Sequence, residues 1–290
     1  MWVDMKITYR VESEKTLIQV LREDMDLSSR IIRRLKREKK VTVNDIVISF
    51  NARLRVGDHV VANLPKEENI FNPEDIPIDV RYADDHFLVI NKQAFLVVHP
   101  TKGHPFGTIA NGLAQYMIDQ GDEYKIRFAN RLDRDTSGLM IVCKSGFGHK
   151  IISDQMHQNT MIKEYDAIVM GQVSDQEGTI NEAIGRAYED SVHRIVRPDG
   201  APCVTHYKVM KRFEDRTWLR IRIETGRTHQ IRVHMKHLGH SIMGDELYGG
   251  NHEAINRQAL HACHLVFKDA DGKEVDVEAD MPEDMKRLME

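Results

Sequence analysis

Leu219-Arg220-Ile221-Arg222-Ile223 runs directly into Glu224-Thr225-Gly226-Arg227-Thr228-His229-Gln230-Ile231-Arg232-Val233-His234. In the first five residues apolar and charged side chains strictly alternate. Successive side chains on a strand point to opposite faces, so this is a strand of a sheet with one buried face. Gly226 permits a turn. Beyond it the spacing changes: Ile231, Met235 and Leu238 form the apolar stripe of a helix predicted over Thr228 to Leu238, with Thr228 as its cap. Arg227 then stands at the strand–helix junction, from which a side chain can reach into a cleft. On this stretch alone it could equally be an exposed Arg in a structural turn.

Outward from this unit, strand-like segments dominate: Phe87 to Ile90, Leu139 to Cys143, Ala167 to Met170 and Leu265 to Phe267. Helices are predicted at Thr108 to Asp119 and around Ile151 to Asn159. Nearer the start, Lys15 to Glu38 reads as two helices. Leu17, Val20 and Leu21 share a face of the first. Leu27, Ile31 and Leu35 recur at helical spacing in the second, with Asp26 as its N-cap. Short strand-like pieces follow at Val41 to Val43, Ile46 to Ile48 and His59 to Ala62. The polar, acidic stretch Lys66 to Asp75 contains a proline and reads as a linker. The expected organisation is a small module over 1–66, a linker over 67–76 and a larger domain over 77–290.

Of the 290 residues 41% are hydrophobic and 30% charged, as expected of a soluble globular protein, and the net charge is −4. A globally acidic surface does not attract phosphate, so any contact with nucleic acid must rest on local patches. One candidate is the second helix, whose other face carries Arg30, Arg33, Arg34 and Arg37, followed by Lys39 and Lys40; a merely solvated face is the alternative. Cys143, Cys203 and Cys263 are far apart and odd in number. Neither a disulfide framework nor a Cys-based zinc site is expected, and a reducing cytoplasm is the simplest location. MWVDMKITYRVES has no apolar core of a secretory signal, and no run approaches the roughly 18 apolar residues of a membrane span. His229, His234, His237 and His240 lack metal-ligand spacing, so packing or RNA contact is expected of them rather than zinc.

A second informative stretch is Asn130-Arg131-Leu132-Asp133-Arg134-Asp135-Thr136-Ser137-Gly138, a charged loop that leads into the apolar run Leu139 to Val142. Arg131 and Asp133 are two apart, so in extended backbone they point to the same side. A neighbouring Arg favours the ionised carboxylate, which suits a nucleophile or an electrostatic stabiliser. Charge alone leaves a solvated surface loop open.

RLDRDTSG at 131–138 resembles the signature loop of the RluA-type pseudouridine synthases. Lys163-Glu164-Tyr165-Asp166-Ala167 followed by Gly171 looks like that family's tyrosine motif, and TGRTHQIRVH at 225–234 like its arginine motif. Gly244-Asp245-Glu246-Leu247-Tyr248-Gly249 and Arg257-Gln258-Ala259-Leu260-His261-Ala262 match later blocks in the family's order. The match covers roughly 77–282. Three positions depart from it: Asn130 where the family usually has His, Lys92-Gln93-Ala94 where it has Lys-Pro-Ala/Gly, and Ala183 where a Pro is expected. The first residues loosely resemble an S4-like RNA-binding module.

The resemblance implies an α+β fold: a mixed, mainly antiparallel sheet with flanking helices, plus a small N-terminal α+β module. It implies isomerisation of uridine to pseudouridine in structured RNA, large-subunit ribosomal RNA before tRNA, by a monomer that needs no cofactor or metal. Asp133 would be the catalytic carboxylate, acting at the ribose C1′ or C2′. Arg131 would fill the space vacated by the flipped base or contact phosphate. Tyr165 would stack on the uracil and manage its proton at C5. Arg227 would pair with Asp133. Arg30, Arg33, Arg34, Arg37 and Lys40 would bind RNA. The rival readings are a non-catalytic RNA-binding protein on the same core, and a metal-dependent hydrolase using the histidines.

Overall fold

The computed structural model describes residues 6–64, 69–101, 103–250 and 252–290. Its first unit contains strands β1 (Lys6–Arg10) and β2 (Lys15–Thr16), a helical turn α1 (Leu17–Gln19) that continues as a π-turn to Asp24, and helix α2 (Ser29–Glu38). Strands β3 (Val41–Val43), β4 (Arg53–Leu54) and β5 (His59–Asn63) follow. β1, β5 and β3 form one small sheet. Leu17, Val20, Leu21 and Leu35 are fully buried in a core of this unit's own.

Two local expectations fail here. The N-cap of α2 is Ser28, whose hydroxyl accepts from the Ile31 amide, and Asp26 takes a left-handed φ of 49°. Asp26 instead pairs with Lys150 of the larger unit. Ile46 to Ile48 is not a strand: Asn44 and Asp45 are both left-handed and turn the chain back, so Ile46 makes only a single bridge to Val43. Finally, Glu38 accepts from both Arg34 and Arg37, so the basic face is partly compensated. Residues 65–68, which run into the expected linker, lie outside the described residues; at its far end Glu74 accepts from the Gly107 amide.

The larger unit runs through β6 (Asp79–Ala83), β7 (Phe87–Lys92), helix α3 (Ile109–Gln120), β8 (Arg127–Phe128), β9 (Ser137–Cys143) and helix α4 (Gly146–His157). It continues with β10 (Ile162–Met170), β11 (Glu177–Asn181), a β12–β13 hairpin (Ile184–Arg186, Arg194–Val196), β14 (Val204–Arg212), β15 (Arg216–Ile223) and helix α5 (Gln230–His237). β16 (Leu260–Lys268), β17 (Glu274–Glu278) and the short helix α6 (Glu283–Lys286) close the chain. One ten-stranded sheet has the order β11-β14-β15-β10-β16-β9-β7-β6, with β17 on β16 and β8 on β9. Among the described strands of this sheet, β9 and β16 pair in parallel and the other pairings are antiparallel. The fold is therefore α+β with a mixed, mainly antiparallel sheet.

The pattern of burial explains the sequence pattern. In β15, Leu219, Ile221 and Ile223 are buried while Arg220 and Arg222 face outward. β7 and β9 are covered on both faces. Leu88, Ile90, Met140 and Val142 pack with Leu113 and Met117 of α3; Phe87, Val89, Leu139 and Ile141 pack with Ile152 of α4. A strand buried on both sides has no polar face, hence its unbroken apolar run.

Candidate active site

The loop Asn130–Ser137 holds Asp133 just ahead of β9, an inner strand of this sheet, and almost every residue of it is tied down. The Asn130 side chain accepts from the Ile141 amide at 2.8 Å, stapling the loop to β9. Lys92, only 1% exposed, donates to the Arg134 carbonyl at 2.8 Å and to the carbonyls of Gln93 and Leu96. Burial pulls the Lys92 ammonium pKa down to about 7, against the pull of Asp135. Arg257, locked to Asp284 through two hydrogen bonds, donates to the Asp135 carbonyl. Gln258 donates to the Thr136 hydroxyl, and Ser137 bonds His261. Gly138, at φ 115°, lies against Ala262 of β16 so closely that a Cβ there would overlap the Ala262 backbone. Such over-determination holds a reactive side chain in one geometry.

Asp133 keeps 29% of its side chain exposed and accepts a hydrogen bond from Arg232 Nη1 at 2.9 Å. Arg232 is on α5 and is itself buried. Its other face is gripped by Asp245 at 2.7 and 2.8 Å, and its guanidinium lies 5.0 Å from the centre of the Tyr248 ring. Burial opposes the Arg232 charge, but the hydrogen bonds and charge of Asp245, then those of Asp133, outweigh it and push its pKa up. A planar fork is suited to this double engagement, which an ammonium could not reproduce.

His229 completes the group. It caps α5 in a left-handed conformation at φ 57°, with Nε2 3.9 Å from Asp133 Oδ2. Its Nδ1 is 2.8 Å from the Tyr248 hydroxyl, which also accepts from the Arg194 amide at 3.0 Å. With Nδ1 engaged by that hydroxyl, Nε2 is the ring nitrogen on the Asp133 side. Burial, with Arg232 nearby, holds the His229 pKa below its ordinary value despite Asp133. Tyr165, on β10, is 7% exposed; burial and then the Asp133 charge raise its phenol pKa.

These features meet an independent observation. Residues 86–237 match the RNA pseudouridylate synthase family. The chain is also 40% identical over 250 residues to the uncharacterized RNA pseudouridine synthase YjbO of Bacillus subtilis (strain 168), covering 85% of this chain and 88% of that protein. The chain belongs to the RNA pseudouridine synthase family. This pseudouridine synthase is likewise 40% identical over 250 residues to ribosomal large subunit pseudouridine synthase D of Escherichia coli (strain K12), covering 81% of this chain and 76% of that protein. Its fold superposes on human RNA pseudouridylate synthase domain containing 1 with a TM-score of 0.60 and 25% identity, over 73% of this chain and 86% of that one. It is an enzyme that isomerises uridine to pseudouridine in RNA.

In this synthase the sequence-based pairing of Arg227 with Asp133 is wrong. Arg227 is exposed, and among the described residues its Nε donates to the Pro202 carbonyl, at 3.3 Å, and not to Asp133. The reason lies in the turn. Gln230 Oε1 accepts from the Arg227 amide and the Thr225 hydroxyl, so α5 starts at Gln230, capped by His229 rather than Thr228. The helix then carries the second arginine of the same motif, Arg232, inward. Arg131 is exposed on the loop, close enough to His99 to help burial lower that imidazole's pKa. The remaining histidines go separate ways: His234 is fully buried between Thr205 and the Glu182 carbonyl, and His240 bonds the Met170 carbonyl. Sequence reasoning gave no site role to Arg232, Asp245 or Tyr248, which it quoted only within motifs, and expected of His229 only packing or RNA contact. The one signal for Arg232 was its place in a helix whose neighbours Ile231 and Val233 are both apolar.

Proposed function

We propose that Asp133 is the catalytic carboxylate and that large-subunit ribosomal RNA is the substrate. The observation that carries the first part is the Asp133–Arg232–Asp245 chain: a partly exposed carboxylate held by a buried, doubly anchored guanidinium. The target uridine leaves its stack and enters beside Asp133; flipping costs least in a single-stranded loop. Asp133 acts on the ribose at C1′ or C2′. The N1–C1′ bond breaks, the uracil turns and C5 bonds to C1′, C5 losing the proton that N1 gains. Tyr165 stays a neutral phenol at pH 7, because burial and Asp133 push its pKa up; stacking on the uracil suits it better than accepting the C5 proton. Arg131 contacts backbone phosphate or fills the vacated stack. Arg227 has no part in this scheme.

The ribosomal assignment is supported by the 40% identity to ribosomal large subunit pseudouridine synthase D. Residues 1–66 serve as an S4-like module that adds phosphate contacts through Arg30, Arg33, Arg37 and Lys40, all exposed, with Arg34 beside them. Mapping pseudouridine in total RNA from cells with and without this protein tests the substrate. Sites lost from large-subunit ribosomal RNA are expected; losses confined to tRNA would refute the ribosomal assignment and leave the Asp133 chemistry intact.

A further inference from the structure

Phe95 combines two properties that folding alone does not explain. Its backbone sits at φ 67°, in the left-handed region that bulky residues avoid. Its side chain gains little in return: Phe95 is 51% exposed and meets no other aromatic ring among the described residues. Strain kept without a packing return points to a role outside the fold.

The position of Phe95 suggests what that role is. The buried ammonium of Lys92 donates at once to the carbonyl of Leu96, the next residue, and to that of Arg134, the residue after Asp133. The turn bearing Phe95 is thus fastened through one cation to the catalytic loop. Leu96 packs on the main core, and a few residues on, His99 feels the charge of Arg131. We propose that the Phe95 ring stacks on an unpaired nucleobase flanking the flipped uridine. RNA enzymes hold splayed bases on aromatic faces, and such stacking tolerates any base identity. The inference rests on the enzyme acting on RNA and not on which RNA it modifies.

Phe95→Gly removes the ring and relieves the backbone strain together, which separates the two roles. The probe is unmodified total RNA from cells lacking the protein, read at whichever uridine the wild-type enzyme converts. Phe95→Gly is expected to melt at or above the wild-type temperature, to need about tenfold more RNA for half-maximal rate and to keep the saturated rate. Phe95→Trp should restore half-saturation to within about twofold, since a larger ring stacks at least as well. Unchanged half-saturation in Phe95→Gly would overturn the proposal. So would a lowered melting temperature accompanying the loss of RNA affinity, or a Phe95→Trp enzyme as weak as Phe95→Gly.

Discussion

Arg232 reaches Asp133 with one nitrogen at 2.9 Å while Asp245 holds two others at 2.7 and 2.8 Å. One guanidinium thus joins the exposed carboxylate of the site to a carboxylate with no exposed side chain at all. The loop that carries Asp133 and the segment that carries Asp245 are set relative to each other by α5.

Arg232→Ala should therefore be the most damaging change outside Asp133. It leaves Asp245 buried without a counter-charge, and breaking a buried pair in this way costs about 3–5 kcal/mol. The single-turnover rate should also fall, because nothing then holds the Asp133 carboxylate where Arg232 Nη1 now fixes it. Arg232→Lys should recover only part of both, lacking the planar fork. Arg227→Ala should change stability by less than about 0.5 kcal/mol, as exposed substitutions do. Urea denaturation and single-turnover rates of the three variants check this; an Arg227→Ala enzyme more impaired than Arg232→Ala would reverse the assignment.

Stability should fall as the pH drops from 7 towards 5. His99, His149, His229, His234 and His261 all have pKa values held below 6.5, chiefly by burial. The unfolded chain then takes up protons at about 6.5 that the folded chain refuses, which favours unfolding below that pH. His264, raised by Glu164 and Asp276 against its burial, works in the opposite direction but alone. Urea midpoints at pH 7.5 and pH 5.5 measure the balance; an equal or higher midpoint at pH 5.5 would contradict it.

Removing residues 1–66 should weaken RNA binding more than it slows chemistry on saturating substrate. Exposed arginines supply phosphate contacts, which give affinity and salt dependence without sequence information. The truncated enzyme should show a shallower dependence of log affinity on log salt. An unchanged slope would remove α2 from the RNA interface. The cut also uncovers Phe147, which packs on this unit's core, and frees Lys150 from Asp26, so the melting temperature must be followed in parallel.

What could be read from the sequence, and what could not, follows from where the determining contacts lie. The strand β15 and the buried strand β9 were legible because burial on one face or two writes directly into residue order. The Asp133 loop was legible from its charge and its resemblance. Ile46 to Ile48 misled because two successive left-handed residues, Asn44 and Asp45, fold the chain back before a strand forms. Asp26 misled as a cap because Ser28, two residues later, takes the Ile31 amide. Arg232 was missed because a charge on a helix is usually solvated. Its burial depends on Asp245, which a loop brings back from beyond the helix, and on Asp133, far earlier in the chain.

In the proposed function Asp133, held by Arg232, performs the chemistry. Asp133→Asn tests it most directly, since the change preserves shape and removes only the charge. Single-turnover pseudouridine formation should be undetectable in the purified variant, with RNA binding retained and a melting temperature close to wild type. Substantial turnover by a folded, RNA-binding Asp133→Asn enzyme would contradict the account.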